Sequence, residues 1–201
     1  MTVVTDNTCF IHIPKNAGTS ITNWMKENTQ SYNLVKPGTN GKYELGKHAK
    51  QPVIESFLKQ HSIEVKMFFC VIRNPWDRVY SGYKYYNQKR KMVKVSFEQW
   101  IKEGFVDRKQ RHRYKREWGC VTYPATDYWI VDDSKIDYIL RYENLNKDFE
   151  LIQDYLGIHK KLPNLNATKS KSNYQEFYTK EMIDIVYKQH IEDIRKYGYE
   201  F

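Results

Sequence analysis

The feature that most constrains this chain is the run Val65–Ile72, VKMFFCVI, which is apolar almost without interruption and stops at Arg73-Asn74-Pro75. An amphipathic helix or a half-exposed strand would alternate polar and apolar residues. A short unbroken run suits a parallel strand buried on both faces. A second apolar run, Thr8–Ile13, TCFIHI, is halted by Pro14 and reads as another strand.

Each run is followed by helical spacing. After the first come Gly18, Thr19 and Ser20, then Ile21, Trp24 and Met25. After the second, a helix starts near Pro75 with Val79, Tyr83 and Tyr86 on one face. Further helices are expected at Pro52–Gln60, at Ser96–Phe105 with Ser96 as N-cap, and at Asp148–Leu156, closed by Gly157. A third strand is expected at Ile136–Leu140. One long amphipathic helix is expected over Thr179–Tyr197, with Ile183, Val186, Tyr187, Ile191 and Ile194 on one face and Gly198 as its stop. Residues 29–47, with three Gly and one Pro, read as a loop. Alternating strands and helices predict an α/β fold with a central, mainly parallel sheet flanked by helices. No repeat or long linker interrupts 201 residues, so a single domain over 1–201 is expected.

Composition narrows the partners. Apolar residues make up 40% of the chain and aromatics 15%, which excludes a disordered or low-complexity chain. The net charge of +9 fits a solvated basic surface or a polyanionic partner. The basic stretch at residues 107–118 is either a solvated face or a landing place for an acidic substrate. Cys9, Cys70 and Cys120 form no CxxC pattern and no Cys/His cluster; Cys9 and Cys70 read as small buried hydrophobes, as in a reducing compartment. No metal constellation is visible. There is no 18-residue apolar stretch and no signal-like N-terminus, so the expectation is a soluble, cytoplasmic protein.

Two strand ends carry the chemistry. Pro14-Lys15-Asn16-Ala17-Gly18-Thr19-Ser20 joins a buried strand to a helix. A helix N-terminus presents N–H donors and a positive dipole end to an anion. Gly18 is expected to allow close backbone approach to a phosphate, with hydroxyls from Thr19 and Ser20 and a cation from Lys15. The loop is not a Walker A loop, because Gly18 is followed directly by Thr19 and the Lys lies three residues before that Gly. At the second end, Arg73 and Ser81 are spaced to reach one phosphate at the carboxyl edge of the sheet. Trp76, Asp77 and Arg78 beside them are expected to be structural: packing, a first-turn charge and an ion pair.

These residues resemble PAPS-dependent sulfotransferases. FIHIPKNAGTS is similar to their 5′-phosphosulfate loop, and VIRNPWDRVYSGYKYY to their 3′-phosphate motif. ILRYENL at Ile139–Leu145 and the ending from Asn166 to Phe201 resemble later segments of the same family. The resemblance runs along most of the chain in the right order. It is nearest to the carbohydrate-type branch of bacterial, viral and Golgi enzymes. The RKGxxG signature of the cytosolic small-phenol branch is absent, as is the membrane anchor of the Golgi enzymes.

The resemblance implies a P-loop-like three-layer fold. It implies 3′-phosphoadenosine 5′-phosphosulfate (PAPS) as sulfuryl donor, PAP as product, no metal, and a hydroxyl-bearing acceptor such as a glycan or glycolipid, with no nucleic acid. Lys15, Asn16, Ala17, Gly18, Thr19 and Ser20 would hold the 5′ end of the donor, Arg73 and Ser81 its 3′-phosphate, and Lys169 and Ser170 would cover the nucleotide. Lys15 would stabilise charge on the leaving phosphate oxygen. His48, in LGKHAK, would be the base, with His12 and His112 as alternatives. His61 and His159 read as surface residues, and His190 sits near the apolar face of the last helix.

Two other functions compete. One is a nucleotide kinase or NTPase with a degenerate phosphate loop, whose Walker B strand would have to be Tyr128–Asp133, a poor apolar strand. The other is a nonenzymatic polyanion binder using residues 107–118.

Overall fold

The computed structural model describes residues 2–5, 7–30, 46, 48–89, 94–105, 121–163 and 173–201. In chain order these form β1 (Val3–Val4), β2 (Thr8–Ile11), α1 (Gly18–Asn28), α2 (Gln51–Gln60), β3 (Met67–Ile72), α3 (Pro75–Lys84), α4 (Phe97–Lys102), β4 (Tyr138–Arg141), α5 (Leu145–Asp148), α6 (Glu150–Leu156), α7 (Lys180–Gln189) and α8 (Ile191–Tyr197). They fall into two compact units: Met1–Ile72 with Asp127–Ala167, and Arg73–Thr126 with Thr168–Phe201.

The first unit holds the sheet, in the order β1-β2-β3-β4. β2, β3 and β4 are parallel, with Phe10 opposite Phe69 and Val71 opposite Leu140. β1 adds an antiparallel edge, Val3 opposite Phe10. Strand alternation sorts the side chains onto two faces. Phe10, Met67, Phe69, Val71 and Leu140 share a core with Ile21, Trp24 and Met25 of α1 and with Phe149 and Ile152. Trp24 meets Phe149 edge-on at 5.0 Å, and its indole N–H donates to the Lys160 carbonyl at 2.6 Å. Cys9, Ile11, Cys70 and Ile72, on the opposite face, are also buried. Both faces are therefore covered, which is why the run at 65–72 contains almost no polar residue. The mainly parallel α/β architecture is as expected.

Cys9 and Cys70 are free and buried, and burial pushes the Cys9 thiol well above its ordinary pKa. The 128–133 segment is not a strand. Asp127 takes a left-handed conformation and its N–H donates to the Ile130 carbonyl at 2.8 Å, which closes a turn. The last strand starts two residues later than expected, at Tyr138, because Asp133–Lys135 form a 3₁₀ turn capped by the Asp132 carboxylate.

The second unit is helical. Asn74 caps α3 by accepting from the Trp76 N–H at 3.1 Å, and Pro75 occupies the first turn, where no N–H is required. Ser96 caps α4 as expected, accepting from the Gln99 N–H at 3.1 Å. Trp76 donates to the Ile183 carbonyl at 3.1 Å, and Arg78, 1% exposed, donates to the Tyr123 carbonyl at 2.9 Å. Gly82 lies against Val121 so closely that a Cβ would clash at 2.7 Å. The Asp193 carboxylate, itself buried, accepts from the Ala125 and Thr126 N–H groups at 2.6 and 2.7 Å.

The long terminal helix is in fact two. His190, at φ −121 and ψ 25, separates α7 from α8 and buries its imidazole completely. Met182, Val186 and Ile194 point inward, whereas Tyr187, expected on that face, is exposed.

Candidate functional site

The loop after β2 is shaped by its backbone. Lys15 and Ala17 both have positive φ, 70 and 56, although neither is glycine. Ala17 is the N-cap of α1 and supplies no side-chain cap. Its carbonyl accepts from the Ser20 N–H at 2.9 Å and the Ile21 N–H at 3.3 Å, so the helix starts tightly without a side-chain cap from Ala17. Alternating backbone conformations ahead of a helix N-terminus form a concavity suited to an anion. Asn16 fixes the loop to the sheet: its side-chain amide donates to the Val71 carbonyl at 2.7 Å. It is 1% exposed, so it acts through the backbone it anchors. Lys15 is half-buried, Thr19 exposed and Ser20 buried.

Gly18 does not have a left-handed φ. A Cβ built on it would overlap the His12 imidazole at Nε2, Cδ2 and Cε1. The missing side chain makes room for His12, which is 3% exposed. Spacing along the chain carries no sign of this packing, because the five residues 13–17 and the loop's turn separate the pair.

His48 lies beside His12. The two rings meet edge-on with centroids 4.4 Å apart, and Trp129 stands on another side of His48 at 6.2 Å. His48 Nδ1 is 3.0 Å from the His12 carbonyl oxygen. A carbonyl only accepts, so Nδ1 carries the proton and neutral His48 presents Nε2 as its lone pair. That is the tautomer a general base requires.

Sequence reasoning missed the residue that builds this wall. Gln51, fully buried at the start of α2, accepts from the Val131 and Asp132 N–H groups, both at 2.9 Å. It also donates to the Asp132 carbonyl at 2.7 Å, while its own N–H donates to the Trp129 carbonyl at 3.0 Å. Gln51 thereby clamps the Trp129–Asp132 turn. Only its position directly after the LGKHAK segment hinted at a role. Lys50 lies 3.5 Å over the Tyr128 ring in the same region.

In the second unit, Arg73 follows β3 directly. Its Nε donates to the Asp77 carboxylate at 2.7 Å, and both side chains are largely buried. Ser81 is half-buried two turns into α3. Trp76 packs and Asp77 supplies a first-turn charge as expected, but the ion pair joins Asp77 to Arg73, whereas Arg78 donates to the Tyr123 carbonyl. His61 packs on Phe57 at 4.5 Å, and His159 is exposed. Lys169, Ser170, His112, Cys120 and the 107–118 stretch lie outside the described residues. Among the described residues, no group of His, Cys, Asp and Glu could hold a metal ion, and no helix is long and apolar enough to cross a membrane.

A family model described as "Sulfotransferase family" matches residues 2–201. The chain belongs to that family. An uncharacterized protein of Archaeoglobus fulgidus is 29% identical over 111 residues, which is 55% of this chain and 83% of the relative. The crystal structure of a sulfotransferase from Alicyclobacillus acidocaldarius aligns with a TM-score of 0.42 and 15% identity, over 74% of this chain. The alignment spans 60% of that sulfotransferase, less than two thirds of its length. Membership supports sulfuryl transfer in general and a hydroxyl-bearing acceptor.

Proposed function

We propose that the chain, acting as one domain over residues 1–201, transfers the sulfuryl group of PAPS to a hydroxyl of a carbohydrate or glycolipid. The observation that carries this reading is the arrangement of His48. Its tautomer is set by the His12 carbonyl, at 3.0 Å, and its neighbour His12 packs against Gly18, the first residue of α1.

In this reading His48 Nε2 takes the proton from the acceptor hydroxyl. The acceptor oxygen forms a bond to sulfur as the bond between sulfur and the 5′-phosphate oxygen breaks. The electron pair leaves with that oxygen, on PAP. Lys15 and the N–H groups at the start of α1 oppose the charge gathering there. Asn16 and Ala17 hold the loop in shape, and Thr19 and Ser20 add hydroxyls. Arg73 and Ser81 bind the 3′-phosphate, and Lys169 and Ser170 close over the nucleotide. No metal is needed where Lys and Arg supply the positive field.

A thermal-shift comparison tests the donor. A ligand bound only by the folded chain raises its stability by RT ln(1 + [L]/Kd). PAP is expected to raise Tm, and by more than ATP at the same concentration. A shift with ATP and Mg²⁺ but none with PAP would replace this reading with a kinase.

A further inference from the structure

His48 is held through one residue, and that residue also touches the loop. The backbone of His12 accepts the His48 Nδ1 proton at 3.0 Å. The side chain of His12 packs edge-on against the His48 ring at 4.4 Å. The same imidazole fills the space that Gly18 leaves by having no Cβ. Phe10 stacks on the ring at 5.6 Å. A ring so confined, at 3% exposure, is fixed in orientation and is poorly placed to exchange protons with an acceptor itself. Its contacts point to mechanical work instead.

We infer that His12 is the positioning residue for His48, and that Gly18 is glycine in order to seat the His12 ring. This inference rests on the reading of His48 as the base. It gives Gly18 a role different from close approach to a phosphate. It also ties the base to the loop: displacement of the α1 start moves the His12 ring, and the His12 ring sets where His48 points. Misplacement of a reacting group by about 1 Å costs up to about 10²-fold in rate, so this seat matters to turnover.

The test uses the full chain labelled with ¹⁵N in its histidine rings. Long-range ¹H–¹⁵N spectra report which ring nitrogen is protonated. Wild-type His48 is expected in the Nδ1–H form when neutral. Gly18→Ala and His12→Ala are expected to shift it towards the Nε2–H form that unrestrained imidazoles favour. His12→Phe keeps a ring against Gly18 and the backbone carbonyl, and is expected to retain the Nδ1–H form. A purely structural His12 would lower Tm in these variants without changing the His48 tautomer, and that result would overturn the inference. So would a wild-type His48 in the Nε2–H form, a measurement that needs no variant to fold. Titrating PAP into the same sample separates the two readings. Wild-type protein that binds no PAP defeats the donor assignment, while the tautomer result still decides the role of His12.

Discussion

The two strand–helix junctions solve the same local problem in opposite ways. After β2 the chain enters α1 through two left-handed non-glycine residues, with no side chain capping the first turn. After β3 it enters α3 through Asn74, whose side chain accepts from the Trp76 N–H and donates to the Glu200 carbonyl at 2.7 Å. The first junction accepts backbone strain and takes no side-chain cap from its N-cap residue. The second satisfies its own donors and pairs its arginine with Asp77. Strain without a cap is what a loop shows when a ligand completes it. A self-satisfied junction suits a binding contact that holds the ligand and does no chemistry.

The largest expected effects test that division. His48→Ala is expected to lower kcat by about 10²–10⁴-fold, the usual share of a general base, with PAP affinity unchanged. Lys15→Ala is expected to lower kcat by about 10²–10³-fold, as loss of one group stabilising a developing anion does. Arg73→Ala is expected to act on binding instead. Loss of a charge-assisted hydrogen bond, about 1.5–3 kcal/mol, raises the PAP dissociation constant by roughly 10–10²-fold while kcat holds. Steady-state kinetics beside PAP calorimetry checks all three. If Arg73→Ala lost kcat at constant affinity, the two junctions would not differ in role.

A smaller effect separates the junctions by pH. In the unit that contains α3, His190 is fully buried near Arg78. Burial, and then the Arg78 charge, lower its pKa to about 3. The Val121 backbone acts weakly in the other direction, but neither ring nitrogen makes a well-formed hydrogen bond. The folded pKa lies below the unfolded value of 6.5, so the unfolded chain binds the extra proton in between. The stabilisation is complete above pH 6.5 and is lost as pH falls towards 3, by at most about 1.4 kcal/mol per pH unit. Urea unfolding of wild type and His190→Leu across pH 4–7 checks this. The variant is expected to show the shallower slope, and equal slopes would remove His190 from the account.

How much of this could be read from the chain depends on the range of the interactions involved. The parallel strands were legible because burial on both faces erases alternation, as in Phe68-Phe69-Cys70-Val71-Ile72. The caps at Ser96 and Gly157 were legible because capping is local. The loop at 14–20 and the turn at Arg73 were legible as motifs. The contact between Gly18 and the His12 ring was not, since it depends on how a side chain just past β2 is turned. Nor was the break at His190: a 3.6-residue pattern survives a one-residue offset well enough to look continuous. Gln51 escaped notice because its partners, Val131 and Asp132, are 80 residues away.

The smallest expected effects are the most direct comparison of the two junctions. Asn74→Ala removes a cap and leaves the Trp76 N–H and the Glu200 carbonyl without the bonds that Asn74 makes. The expected cost is about 1–2 kcal/mol, read as a lower denaturation midpoint at unchanged slope. Ala17→Gly moves the other way. A left-handed alanine carries roughly 1–2 kcal/mol of steric cost that glycine avoids, and the freer unfolded chain of the glycine variant returns about 0.4–1 kcal/mol of it. The net expectation is a gain of about 0–1.6 kcal/mol, the difference between those two terms. Opposite signs from the two substitutions would mean that strain is held at the first junction and relieved at the second. A loss in both would mean that Ala17 gains as much from its surroundings as Asn74 does, and the first loop would then be no more strained than the second.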